Sequence, residues 1–138
     1  MKFKPLSTSL FTLLMILTFT SCYTTSAPFN ITSEGYPIES EMNPQILEKS
    51  IHLSLLNYGW EVTSKNEGKI TAKYSKSEDL INANIEILFD TEGYSISYVD
   101  SKNLDFNDKR MTIHRNYNRW IANLNKSIAE NYYILEII

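Results

Sequence analysis

The chain has 138 residues, enough for one domain and too few for two of ordinary size. Hydrophobic residues make up 43% and tyrosine occurs nine times, which excludes a wholly disordered chain. Thirteen Lys and Arg stand against 16 Asp and Glu, and a formal charge of −3 argues against a general nucleic-acid binder, which needs a net basic face to displace counterions.

Met1 to Cys22 divides into three parts. Lys2 and Lys4 make a positive start, Leu10 to Leu17 an apolar centre, and small or polar residues lead into Cys22. The apolar stretch is shorter than the ~20 residues that cross a bilayer as a permanent helix, so a removable signal peptide is expected over residues 1–21. Phe19-Thr20-Ser21-Cys22 resembles the lipobox of bacterial lipoproteins, although Phe19 stands where leucine is usual. The resemblance implies diacylglycerol on the Cys22 thiol, cleavage before that residue and a fatty acyl group such as palmitate on its freed amine. Two alternatives compete with it: an ordinary secretory signal with Cys22 incidental, and an uncleaved anchor helix. Cys22 is the only cysteine, so no internal disulfide can form. Removing the 21 residues before it leaves 117, with 11 basic residues against 16 acidic ones. Tyr23 follows the cysteine where, in the sorting rule of enteric bacteria, aspartate would retain a lipoprotein in the inner membrane. The expected address is the outer membrane, facing the periplasm or the surface.

Residues 22–43 are rich in Ser, Thr, Pro and Gly and keep no helical or strand period, so they read as a lipidated cysteine and flexible tether. Fully extended, ~20 residues would reach about 65 Å. Phe29, Ile31, Tyr36 and Ile38 offer an alternative, docking on the domain or on a partner. Asn30-Ile31-Thr32 matches a glycosylation triplet by coincidence, and Glu34, Glu39 and Glu41 read as solubilising charges rather than a calcium site.

The domain is expected over residues 44–138. Asn43-Pro44 is a helix start, Leu47, Ile51, Leu55 and Tyr58 recur on one face, and Gly59 is the stop. Ile46, Leu53 and Leu56 lie off that stripe. Trp60 and Val62 alternate as a short strand; Asn66-Glu67-Gly68 turns, and Ile70, Ala72 and Tyr74 alternate on the return. After a polar loop from Ser75 to Asp79, Ile85, Ile87 and Phe89 face one way in the strongest strand, with Asn84, Glu86 and Leu88 opposite. Asp90 to Gly93 turns the chain into a row of Tyr94, Ile96 and Tyr98. A second helix begins near Asn116, with Tyr117, Trp120, Ile121, Leu124, Ile128, Tyr132 and Leu135 on its apolar face. Together these elements predict an α+β two-layer sandwich: an antiparallel meander of three or four strands, with an N-terminal and a C-terminal helix packed on one face.

Tyr94 to Leu104 and Ile113 to Trp120, with Gly59-Trp60 and Gly68 to Ala72, resemble a family of small bacterial lipoproteins. That resemblance covers about Ile46 to Ile128 and implies a lipid anchor and a compact α+β domain, with no assigned catalysis. Ser101, Asn103 and His114, with Asn116 and Arg119, mark a candidate interaction surface where the last strand leaves the sheet and the second helix begins. Polar groups beside open helix amides suit an anion or a peptide carbonyl. The competing reading is structural: Ser and Asn closing turns, His114 anchoring the loop, and Tyr117 and Trp120 in the core. Lys109, Arg110, Arg115 and Arg119 form a local basic cluster, with an ordinary solvated surface as the alternative.

No nucleophile elbow, P-loop, HEXXH or paired-cysteine signature is present, and lipid would consume the one thiol. His52 and His114 match no zinc spacing, so neither a metal nor another cofactor is expected. The leading expectation is a non-enzymatic interaction module whose partner is the membrane plus an envelope protein or other envelope component. A small-ligand carrier or sensor with a pocket between helices and sheet is the alternative, and an envelope hydrolase using His114 the third class.

Overall fold

The computed structural model describes residues 24–28, 30–32 and 41–138. The expectations for the signal segment, Cys22, Phe29, Glu34, Tyr36, Ile38 and Glu39 lie outside the described residues. In chain order the elements are β1 (Thr25–Ser26), β2 (Ile31–Thr32), α1 (Pro44–Asn57), β3 (Trp60–Asn66), β4 (Lys69–Lys76), β5 (Ile81–Phe89), β6 (Tyr94–Lys102), β7 (Ile113–His114) and α2 (Arg115–Glu136). The fold is α+β. Its main sheet has the order β2-β6-β5-β4-β3, so β3 to β6 form the antiparallel meander and β2 adds a fifth strand at the β6 edge.

Local chemistry accounts for the ends of α1. Asn43 is extended, and its Oδ1 accepts from the amides of Gln45 and Ile46 at 3.0 and 3.2 Å, while Pro44 opens the first turn. At the other end Gly59 takes φ +72°, a left-handed conformation that a side chain would strain. Leu47, Ile51 and Leu55 are buried as their spacing predicts. Tyr58 departs from that stripe: it occupies the C-cap and is 42% exposed.

Alternation in β5 buries Ala83, Ile85, Ile87 and Phe89 and turns Asn84, Glu86 and Leu88 away. Ile70 and Ala72 of β4 and Tyr94 and Ile96 of β6 continue the same apolar face. Both helices pack on it and on each other, through Ile121, Leu124 and Ile128 of α2 and the buried stripe of α1. Polar bonds tie the two helices together. Tyr132 Oη accepts from the Asn43 amide at 2.9 Å, and Asn131 Nδ2 donates to Ser54 Oγ at 2.8 Å.

Several boundaries differ from expectation. The strand β4 runs through Ser75 to Lys76, which pairs with Ile81, leaving a tight turn in which Ser77, Glu78 and Asp79 all have positive φ. Ser75 Oγ, Asn82 Nδ2 and Lys73 Nζ converge on Asp79 Oδ1 at 2.8, 3.1 and 2.7 Å and secure it. A bulge in β3 between Val62 and Ser64 ends the apolar alternation and places Lys65 opposite buried Ile70, where it pairs with Glu48 of α1. Such a charge on the helix side of an edge strand also discourages pairing with another chain.

The largest correction concerns the tether. Thr25 and Ser26 pair with His114 and Ile113, and Ile31 and Thr32 pair with Ile96 and Ser95. Side chains reinforce this docking: Asn118 Nδ2 donates to Ser26 Oγ and the Ala27 carbonyl at 2.7 and 2.8 Å, and Asn30 Oδ1 accepts from the Tyr98 amide at 3.1 Å. Residues 24–28 and 30–32 are thus part of the domain, because they satisfy backbone groups at the open edges of β6 and β7.

Candidate functional site

The loop leaving β6 and the first turn of α2 meet at one end of the sandwich. Asn103 takes φ +55°, and its Nδ2 donates to the Leu80 carbonyl at 2.7 Å, which joins this loop to the β4–β5 turn. The His114 amide donates to the Leu104 carbonyl at 2.7 Å, and buried Leu104 and Ile113 fasten the loop to the core. Between these pieces lies a cleft of about 120 Å³. Asn103, His114 and Asn116 line it together, beside Lys76 and the half-buried Trp120.

Ser101 and Arg119 do not line this cleft. Val99 bulges out of the β5–β6 ladder, with Asn84 opposite Asp100 and Ile85 opposite Tyr98. That extra residue turns Ser101 onto the inner face, opposite Ala83, where its Oγ lies 2.9 Å from Tyr98 Oη. Arg119 lies on the exposed side of α2, one turn beyond exposed Arg115.

The amides at the start of α2 find partners within the chain. The Arg115 amide donates to the Thr24 carbonyl at 2.8 Å, and the Asn116 amide donates to His114 Nδ1 at 3.2 Å. His114 is therefore the N-cap, in the tautomer that accepts at Nδ1. Two of the donors expected to receive an anion or carbonyl are engaged in this way, and the structural role of His114 accounts for its position.

An aromatic cluster next to Ser101 escaped sequence reasoning. The Tyr98 ring meets Phe106 at 4.6 Å and the edge of Tyr117 at 5.4 Å. Burial raises the phenol pKa of both tyrosines, more strongly for Tyr117, whose hydroxyl has no hydrogen-bond partner among the described residues. The signal for this cluster was the row Tyr94, Ile96, Tyr98, but nothing in it pointed to Phe106 across the loop.

A second concavity of about 310 Å³ runs along the edge formed by α1 and β3, lined by His52, Leu53, Leu55, Leu56, Trp60 and Val62. Its walls are mostly apolar, and the buried Nε2 of His52 has no hydrogen-bond partner among the described residues. No group of three metal-ligating side chains gathers among the described residues, and no described helix is long and apolar enough to cross a membrane. Compared with known family models, curated proteins and solved structures, the chain matches none.

Proposed function

We propose that the protein is a bacterial envelope lipoprotein, anchored by lipid on Cys22, whose α+β domain is a non-enzymatic interaction module for an envelope protein or other envelope component. The observation that carries this reading is Phe19-Thr20-Ser21-Cys22 at the end of a short apolar segment, holding the only cysteine of the chain. Two or three acyl chains give stable anchoring, where one would be marginal. Tyr23 in place of aspartate favours the outer membrane, with the domain facing the periplasm or the surface.

The test is metabolic labelling with an alkyne fatty acid in a Gram-negative host. Wild type is expected to carry the label and sediment with membranes, whereas Cys22→Ala is expected to lose both properties. An unlabelled wild-type chain would sink the reading. Mild crosslinking of the labelled protein in the native envelope then asks for a reproducible partner.

A small-ligand carrier is the second reading, favoured by the apolar groove beside His52. Native mass spectrometry of the full chain purified from membranes decides it. A bound small molecule that Leu55→Trp displaces supports the carrier, and an empty protein counts against it.

A further inference from the structure

The end of the domain from which the N-terminal chain departs also gathers five cations that make no ion pair among the described residues. Thr24 is held by Arg115, and Thr25 and Ser26 are paired with His114 and Ile113. Only Tyr23 separates Thr24 from Cys22, and two residues of chain span at most about 7 Å. We propose that this end is a membrane-facing surface that seats on anionic phospholipid headgroups, so that the domain rides on the bilayer instead of at the tip of a long spacer. The proposal rests on the reading of Cys22 as the lipid anchor.

Three features of this end fit a lipid surface. The first is charge. Residues 102–119 carry Lys102, Lys109, Arg110, Arg115 and Arg119 against Asp105 and Asp108, a balance of +3, while the remainder of 22–138 holds six cations and fourteen carboxylates. In the adjoining turn, Lys73 and Lys76 are offset by Glu78 and Asp79. A dipolar molecule of this kind is turned cationic end down by an anionic surface.

The second is the lack of internal partners. Of the six cations outside this stretch Lys65, Lys69, Lys73 and Lys126 pair with a carboxylate and Lys49 and Lys76 do not, whereas none of the five cations of 102–119 makes an ion pair among the described residues. Arg115 is the first residue of α2, whose first turn holds no acid. A cation there opposes the helix dipole and costs stability, so intramolecular energetics do not explain the placement. Phosphate oxygens from outside the chain would compensate it.

The third is exposed apolar surface on the same end. Leu80, Met111 and Phe106 are 60, 56 and 36% exposed. Leu80 is joined to the β6–β7 loop through Asn103, and Met111 closes the turn bridged by Asn107 and Thr112. Apolar side chains interleaved with cations suit the boundary between headgroups and acyl chains.

The experiment uses the full chain, exported and lipidated in cells, then reconstituted into vesicles. Leu80→Cys and Met111→Cys carry an environment-sensitive fluorophore, with Glu67→Cys at the opposite end of the sheet as control. Mass spectrometry of each purified protein reports lipid on Cys22 separately. On vesicles of phosphatidylcholine and phosphatidylglycerol in equal parts, positions 80 and 111 are expected to shift to the blue and position 67 to stay water-like. The shift is expected to disappear in about 1 M salt, where the screening length is about 3 Å. Arg110→Gln and Arg119→Gln should each lower the seated-to-unseated ratio roughly fivefold. Lipid present with water-like probes at 80 and 111, or equal shifts on neutral phosphatidylcholine, overturns the proposal and leaves the anchor standing. Absence of lipid on Cys22 overturns both.

Discussion

The main-chain amide of Arg115 donates to the carbonyl of Thr24 at 2.8 Å, which pins a residue two positions beyond Cys22 to the first turn of α2. This one bond changes what the N-terminal segment does. A polar stretch that reads as a spacer becomes a strap whose β1 and β2 cover two open strand edges. It also supplies one of the hydrogen bonds that the start of α2 needs.

Asn118 is the side chain that holds the strap most directly, through Ser26 Oγ and the Ala27 carbonyl. Each such neutral bond contributes on the order of 1 kcal/mol. Asn118→Ala is expected to weaken docking by about 2 kcal/mol and to speed amide exchange in β1 roughly thirtyfold. Amides in the middle of α2, around Ile121, should keep their protection. Unchanged exchange at Thr25 and Ser26 would show that the β1–β7 pairing holds without the side chain.

The core of the sheet was readable because β5 alternates regularly from Ala83 to Phe89. Ile87 is fully buried and Leu88, its neighbour, is 44% exposed. Ile87→Ala is expected to cost about 2–5 kcal/mol and Leu88→Ala about 0.5 kcal/mol or less, measured by urea unfolding of the full chain. Similar losses at both positions would mean that the outer face of the sheet is covered in solution.

Legibility failed where an extra residue or a distant partner intervened. The bulge at Val99 moves Ser101 inward and out of the proposed surface, and period-two alternation contains no sign of it. The convergence of Asn103 and His114 was legible, since both flank the single loop between the last long strand and α2. The docking of Thr24 to Ser26 was not, because its bonds reach residues about 90 positions away and run largely through backbone groups that every residue carries.

Tyr117 and Tyr132 are both buried on α2, yet their hydroxyls have opposite circumstances. Tyr132 Oη accepts from the Asn43 amide, whereas Tyr117 Oη has no partner among the described residues. Tyr132→Phe should therefore lose about 1 kcal/mol. Tyr117→Phe should be neutral or stabilising by a similar amount, because it removes a desolvated hydroxyl and keeps the ring against Tyr98. Thermal unfolding of the two variants side by side tests the contrast, and a larger loss for Tyr117→Phe would reveal a hydrogen bond to water or to another part of the chain.

Asp79 gives the fold a defined acid response. Hydrogen bonds from Lys73 and Ser75, supported by Asn82 and by the Lys73 charge, outweigh the desolvation of its carboxylate and hold its pKa at about 2, below the ordinary 3.8. A carboxyl pKa depressed by folding stabilises the native state above the unfolded value, and that contribution fades as pH falls from 3.8 through about 2. The β4–β5 turn, with its three residues at positive φ, is expected to loosen over this window. A carboxyl NMR titration should place the Asp79 midpoint near 2 in the wild type and move it up toward 3.8 in Lys73→Ala. Asp79→Asn should make amide protection at Leu80 and Ile81 independent of pH across the same range. A wild-type midpoint near 3.8 would mean that the three donors do not hold the carboxylate in solution, and the turn would then owe its shape to the Lys76–Ile81 pairing and the Asn103 bond to Leu80.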